Sequence, residues 1–233
     1  MRTFAIGLLG WAAYAQMGLH LPRFGCAADG GRVVEYLGVE QNLTARNAAS
    51  GVPRAVCEKD IVLFQRGRTV YANEEATIET SGNLLLAAAA GRAAILDLDD
   101  GRLQWLDSDG WHTSSAKIPA GAASLSIDHE SVWVLAGGRL YKFDLASGAA
   151  LESRALADSF DLAAVLPDGS VLGVRERMVH RCSSIECRKL YELPAEALAL
   201  RPLSADWFEA ELAGGARAAL SSRTYFLLPG VAE

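Results

Sequence analysis

Histidines and paired carboxylates are the residues that most often move protons, and neither type is arranged here for a familiar reaction. The histidines are His20, His112, His129 and His180, and none lies within four residues of another. No H-E-x-x-H, G-x-S-x-G or glycine-rich phosphate loop occurs in the chain. Asp97, Asp99 and Asp100 precede Gly101 in a pattern close to a calcium loop. That loop needs its glycine one position later and an acid where Ser108 stands, so a turn is expected instead. Asp107-Ser108-Asp109-Gly110 is a turn by the same composition. Asp128, Glu130, Asp158, Asp161 and Asp206 fall at connections between apolar segments. A small secreted hydrolase or lyase would carry its acids there, and the separation of the carboxylates would decide the chemistry.

Cys26, Cys57, Cys182 and Cys187 are the other reactive set. An even number of cysteines in an exported chain points to disulfides. Of the three possible pairings, nearest neighbours are expected: Cys26 with Cys57, and Cys182 with Cys187. The second would close one tight loop. His180 with Cys182 and Cys187 does not have the spacing of a zinc site and lacks a fourth ligand nearby, so no metal is expected. For binding, the aromatic residues are the better lead. Trp111 and His112 follow Gly110 in a turn flanked by Asp109 and Thr113, and these two are the candidate binding residues. The competing reading makes Trp111 a rim residue packed on the neighbouring unit. Trp133 sits in a continuous apolar run and is expected in the core.

Those residues need a scaffold, and the chain repeats itself. "AGRAAILDLDDG" spans residues 90–101 and "GGRLYKFDLASG" spans 137–148, and both fit G-R-x-x-x-(L/F)-D-L-x-x-G. Each follows a strand-length apolar run, Leu84 to Ala88 or Val132 to Ala136. Beyond the turn, residues alternate between two faces, and a further Asp-Gly or Ser-Gly turn follows. Looser copies begin near residues 61, 171 and 207. Apart from one short first interval, the spacing is near the roughly 40 residues of a four-stranded propeller blade. Such a sheet is apolar on both faces, and stacking copies around an axis buries both. The expected fold is therefore all-β, a β-propeller of about five four-stranded blades, with a β-sandwich or barrel as the alternative. Residues 32–37 are expected to close the ring by pairing beside residues 225–228. Residues 195–200, "AEALAL", have the composition of a helix and resist an all-β reading.

The blade phrases resemble the repeat of the pyrroloquinoline-quinone-like propellers. Gly138, Leu140, Tyr141, Phe143, Asp144, Ser147 and Gly148 fit that motif, as do Asp97, Gly101 and Trp105. Its quinoprotein enzymes are more than twice as long and carry adjacent cysteines. This chain has none adjacent, so no cofactor is carried over. The non-enzymatic members include the periplasmic scaffold of the outer-membrane barrel-assembly machinery, and the resemblance implies a binding platform in the cell envelope.

The N-terminus agrees with export. Arg2 precedes an apolar run over residues 4–13, and Ala13-Tyr14-Ala15 has the small-x-small form of a cleavage site. The run is too short to span a bilayer, although an uncleaved anchor or a lipid-bearing Cys26 would also use this segment. The expected organisation is a signal peptide over residues 1–15, a leader over 16–31 and one propeller over 32–233. No transmembrane span is expected in the mature chain. The net charge of −6 argues against a nucleic-acid surface. The expected role is an exported, periplasmic or secreted, non-catalytic scaffold with a protein partner in the envelope. The alternative is the small hydrolase or lyase. Asn42-Leu43-Thr44 has the form of a glycosylation sequon.

Overall fold

The computed structural model describes residues 21–230 other than Lys59 and Glu74. The expected signal peptide lies outside the described residues. The chain forms a β-propeller of six blades, one more than the repeat count indicates. Blade 1 has three strands, β1 (Arg23–Asp29), β2 (Arg32–Val39) and β3 (Asn42–Ser50). Blade 2 is β4 (Arg54–Glu58), β5 (Ile61–Arg66), β6 (Thr69–Ala72) and β7 (Ala76–Glu79). Blade 3 is β8 (Leu84–Ala89), β9 (Arg92–Asp97), β10 (Arg102–Asp107) and β11 (Gly110–Lys117). Blade 4 is β12 (Ala122–Ile127), β13 (Ser131–Ala136), β14 (Arg139–Asp144) and β15 (Ala150–Ala155). Blade 5 is β16 (Leu162–Val165), β17 (Val171–Arg175), β18 (Met178–Cys182) and β19 (Cys187–Glu192). Blade 6 is β20 (Ala197–Pro202), β21 (Phe208–Leu212), β22 (Arg217–Leu220) and β23 (Tyr225–Leu227). Every blade is an antiparallel meander in chain order.

The propeller starts by Arg23, because β1 lies inside the expected leader and is the inner strand of blade 1. The segment at 195–200 enters a strand, β20, because a place in the ring outweighs the helix preference of Ala and Leu, which tertiary context readily overrides. The echoed phrase is also one strand out of phase. Residues 92–97 form the second strand of blade 3, whereas 139–144 form the third strand of blade 4. Taking Leu84, a first strand, together with the second strands at 61, 131 and 171 produced the short interval.

The core consists of six interblade clusters, one for each junction, and together they close the ring. Cys26, Val33, Val52, Ala55, Cys57 and Phe64 join blades 1 and 2. Val56, Leu63, Leu86 and Ile95 belong to the junction of blades 2 and 3. Trp105, Ile127 and Phe143 pack between blades 3 and 4, and Trp133, Leu140 and Val171 between 4 and 5. Leu172, Phe208 and Leu220 join blades 5 and 6. The last junction sets Ala27, Val34 and Tyr36 of blade 1 against Leu203 and Ala219 of blade 6. Phe24, Trp207 and Phe226 surround that seam, with ring centroids 5.1 to 5.5 Å apart.

The seam is not closed as expected. Strand β2 pairs with β1 and β3, while β23 pairs with β22, so residues 32–37 and 225–228 meet by packing and not in a shared sheet. Blade 1 is instead inverted. Four antiparallel strands return a chain to the end where it began, whereas three leave it at the opposite end. Cys26 faces Cys57 and Gly31 accepts a hydrogen bond from Val52 N–H at 2.8 Å, so β1 and β4 run antiparallel. Cys26 N–H donates to Leu203 O at 3.0 Å. One residue thus binds blade 6 through its backbone and blade 2 through its sulfur. A Cβ at Gly25 would lie 2.6 Å from Leu203 O, so the close approach at this seam requires glycine.

Candidate functional site

The inner strands surround a cavity of about 760 Å³. It lies at the end where β4, β8 and β12 begin, lined there by Arg54, Leu84 and Ala123. The other end is crossed by the loop after β20. Ala205 in that loop donates its N–H to Glu58 Oε2 at 3.1 Å, at the far end of β4. It also packs against the cluster between blades 3 and 4. The channel is therefore a cup, plugged at one end.

The wall of the cup is two-sided. Blades 3, 4 and 5 supply Leu84, Leu85, Leu86, Ala123, Leu125 and Ala164. Blades 6, 1 and 2 supply Arg201, Glu209, Glu211, Arg217, Asp29 and Arg54. Three ion pairs organise that side, Arg217 to Asp29 at 3.0 Å and to Glu209 at 3.5 Å, and Arg201 to Glu211 at 3.1 Å. Arg54 is held by Gln65 Oε1 at 3.1 Å and Gly82 O at 3.2 Å.

Glu209 is the unusual member. It stands on β21 between Phe208 and Ala210, which serve the core on the opposite face, so alternation turns its side chain toward blade 1. It is 1% exposed, and neither carboxylate oxygen has a hydrogen-bond partner. Its nearest ionic neighbour is Arg217, at 3.5 Å. Burial pushes its pKa up, against the pull of Arg217 and Arg201. The buried Tyr36 hydroxyl across the seam is likewise unpartnered, and burial with the Glu209 charge pushes it up to about 12.

A raised carboxyl pKa carries a sign. Stability linked to Glu209 is complete below its unfolded pKa, about 4.3, and declines as pH rises through the higher folded value. Glu209→Gln should therefore gain on the natural protein as pH rises from about 4 to 8, measured by urea unfolding at each pH. Parallel curves would mean that the burial of Glu209 has no linked cost.

The expected binding residues are not brought to this cup. Trp111 begins the outer strand of blade 3, half-buried against the cluster between blades 2 and 3, with its indole N–H buried and unpartnered. His112 stacks on Trp105 at 5.6 Å, and its Nε2 lies 2.9 Å from Asp107 Oδ1. The two stand side by side on the rim. The acids at connections mostly serve the backbone. Asp128 accepts from Glu130 N–H and Ser131 N–H, and Asp161 from Glu176 N–H, while Asp158 pairs with Arg175. None of the five lines the cup. Glu209 was missed in the sequence because the signal is faint: an acid inside a strand whose two faces are both buried by the ring.

Both disulfides pair as expected, Cys26–Cys57 and Cys182–Cys187. The second closes the β18–β19 hairpin around an Ile185 that is 90% exposed. Beside this tip lies a groove of about 300 Å³ lined by Arg154, Arg181 and Arg188 with Asp168, Ser170 and Glu186. Arg154 donates to Gly169 O at 2.7 Å and Arg181 to Ser170 Oγ at 3.0 Å, and Arg181 also pairs with Asp168. Burial raises the Asp168 pKa, but the Ser170 hydrogen bonds and the Arg181 charge outweigh it and hold the carboxylate below its usual range. Arg188 has no such partner among the described residues.

No family model and no curated protein matches the sequence. The fold has solved counterparts. The chain is similar to the WD40 β-propeller domain of Doa1 with a TM-score of 0.53 and 12% identity, covering 85% of this chain and 74% of that one. It is similar to a chain of a nidogen/laminin complex with a TM-score of 0.57 and 9% identity, covering 84% and 88%. Kluyveromyces lactis Hsv2 gives a TM-score of 0.50 and 10% identity, covering 85% and 78%. These likenesses show a propeller of repeated blades. Among the described residues no helix is long and apolar enough to cross a membrane.

Proposed function

We propose that this protein is an exported, non-catalytic propeller that acts as a scaffold for a protein partner in the cell envelope. The observation that carries the reading is Ile185, 90% exposed at the tip of a disulfide-closed hairpin. A large apolar side chain held in water by a covalent staple is pre-organised for burial against another surface. The neighbouring arginines add polar contacts of the kind enriched at interfaces. Trp111 and His112 on the blade 3 rim are the second proposed contact. The nidogen/laminin structure that the chain resembles is itself a complex between proteins. Two disulfides and the signal-like segment at residues 1–15 support export. The repeat phrases support kinship with the non-enzymatic pyrroloquinoline-quinone-like propellers.

The test is crosslinked capture from the protein's own cell envelope, with Ile185→Asp and Trp111→Ala beside the natural chain. One stoichiometric partner is expected. Ile185→Asp should weaken it by about thirtyfold, as loss of an interface anchor does. That substitution lies on the surface and should change folding stability by no more than about 0.5 kcal/mol. Capture that is equal in all three proteins would end this reading.

A further inference from the structure

We propose that the groove beside the Cys182–Cys187 hairpin is a binding site for a tetrahedral oxyanion, a phosphate or sulfate group, with Arg188 as its principal contact and Arg154 and Arg181 on its flanks. This goes beyond the scaffold reading, because it holds whether or not a protein lands on the same tip.

Strand register creates the site. Arg181 on β18 and Arg188 on β19 are direct partners across the antiparallel pair. Their side chains leave the same face of the sheet with Cβ atoms about 5 Å apart, and like charges so placed repel. Arg154 arrives from β15 of the neighbouring blade, and its guanidinium is anchored on Gly169 O at 2.7 Å. All three line the groove of about 300 Å³. The carboxylates nearby leave this charge unsettled. Both oxygens of Asp168 are taken, Oδ1 by Ser170 N–H at 2.9 Å and Ser170 Oγ at 2.6 Å, and Oδ2 by Arg181. Glu186 also lines the groove, yet its carboxylate joins no ion pair among the described residues. Arg188 has neither an ion pair nor a side-chain hydrogen bond among them. Arg154 and Arg181 keep further N–H donors beyond those already used, because a guanidinium carries more than these bonds require.

The lining selects the ligand class. Every residue of the groove is arginine, aspartate, glutamate, serine or glycine. Organic molecules bind in mainly apolar pockets, so this groove suits an ion or the charged head of an ester and not a carbon skeleton. Three guanidiniums beside two carboxylates leave a positive excess, which favours an anion. A planar carboxylate is satisfied by a single guanidinium fork. Here the donors come from three strands, and Ser184 lines the same groove, so a ligand whose oxygens point in several directions uses more of them. Phosphate and sulfate have that shape. Glu186 opposes them, since its free charge weakens any anion held by Arg188.

The experiment is an NMR titration of the full disulfide-bonded protein at constant ionic strength with inorganic phosphate, sulfate, glycerol 3-phosphate and acetate. The amides of residues 168–170 and 183–188 and the arginine Nε–H groups place the ligand. Saturable binding of phosphate and sulfate in the millimolar range is expected, about fivefold or more tighter than acetate. Arg188→Gln should weaken phosphate about tenfold. Lys189→Gln makes the same change of charge on the opposite face of β19 and should leave the affinity unchanged, which separates contact from general attraction. Glu186→Gln should tighten phosphate about threefold. Glycerol 3-phosphate distinguishes the source: tighter binding than inorganic phosphate assigns the site to an esterified group, and equal or weaker binding assigns it to the free ion. No saturable shift by about 50 mM phosphate would overturn the proposal, as would acetate bound as tightly as phosphate. Equal affinity in Arg188→Gln would overturn the placement in the groove. A failed partner capture leaves this titration standing, and a silent titration leaves the capture standing, so the two readings fail separately.

Discussion

Replacing Cys26 and Cys57 together by serine is expected to lower the unfolding free energy by about 3–4 kcal/mol. The cysteines lie 31 residues apart in sequence, and the estimate is the loop-closure entropy returned to the unfolded chain. The location makes the effect more than entropic. The bond joins the inner strand of the inverted blade to that of blade 2, and Cys26 N–H is also the backbone link to Leu203 on blade 6. Without the sulfur bridge, blade 1 keeps the backbone hydrogen bond to Leu203 O and the Arg217–Asp29 ion pair toward blade 6, but toward blade 2 it keeps only packing and the Val52 N–H bond to Gly31 O. The six-blade ring would then open preferentially at blade 1. Urea unfolding gives the free energy, and amide exchange mapped onto residues 23–50 shows where opening begins. The comparison is the double serine variant at Cys182 and Cys187. Their separation is only 5 residues, and their loss should cost about 2 kcal/mol with exchange confined to the hairpin tip. If the two double variants proved equally stable and exchanged evenly around the ring, the seam at blade 1 would not be its weak point.

Asp97→Asn is expected to cost about 2 kcal/mol at neutral pH. The carboxylate is 3% exposed and accepts three hydrogen bonds, from Ser81 N–H at 2.7 Å, Ser81 Oγ at 2.5 Å and Asp99 N–H at 3.1 Å. It therefore ties the connection out of blade 2 to the second strand of blade 3. Burial alone would raise its pKa, but the Ser81 and backbone hydrogen bonds outweigh burial and hold it below the usual carboxylate range. The sign is opposite to that of Glu209. A depressed folded pKa contributes stability above the unfolded value, about 3.9, and loses it as pH falls through the lower folded value. The gap between the natural protein and Asp97→Asn should therefore be widest near neutrality and close below about pH 4. A gap that is independent of pH would show that shape, and not charge, holds this turn.

The local grammar was legible in the chain, because each part of it depends on near neighbours. Apolar runs, alternation and Asp-Gly or Ser-Gly turns located strands in five of the six blades. The disulfides followed from proximity, and the turns from side chains that bond the backbone a few residues away, as Asp144 does with Ser147 N–H and Asp128 with Ser131 N–H. The same locality misled the repeat count. A strand ending in an aspartate-led turn is needed by any antiparallel hairpin, so the phrase at 92–97 and its echo at 139–144 occupy different places in their blades. What the tertiary structure decided lies between residues far apart in sequence. The sixth blade, its inversion, the seam of Tyr36 with Leu203 and the plug of Ala205 on Glu58 all join segments more than 100 residues apart or depend on how the ring closes. Glu209 shows why. Its strand reads as ordinary alternation with one polar face. Only the arrival of blade 1 against blade 6 turns that face into an interior and leaves a carboxylate buried at the wall of the cup.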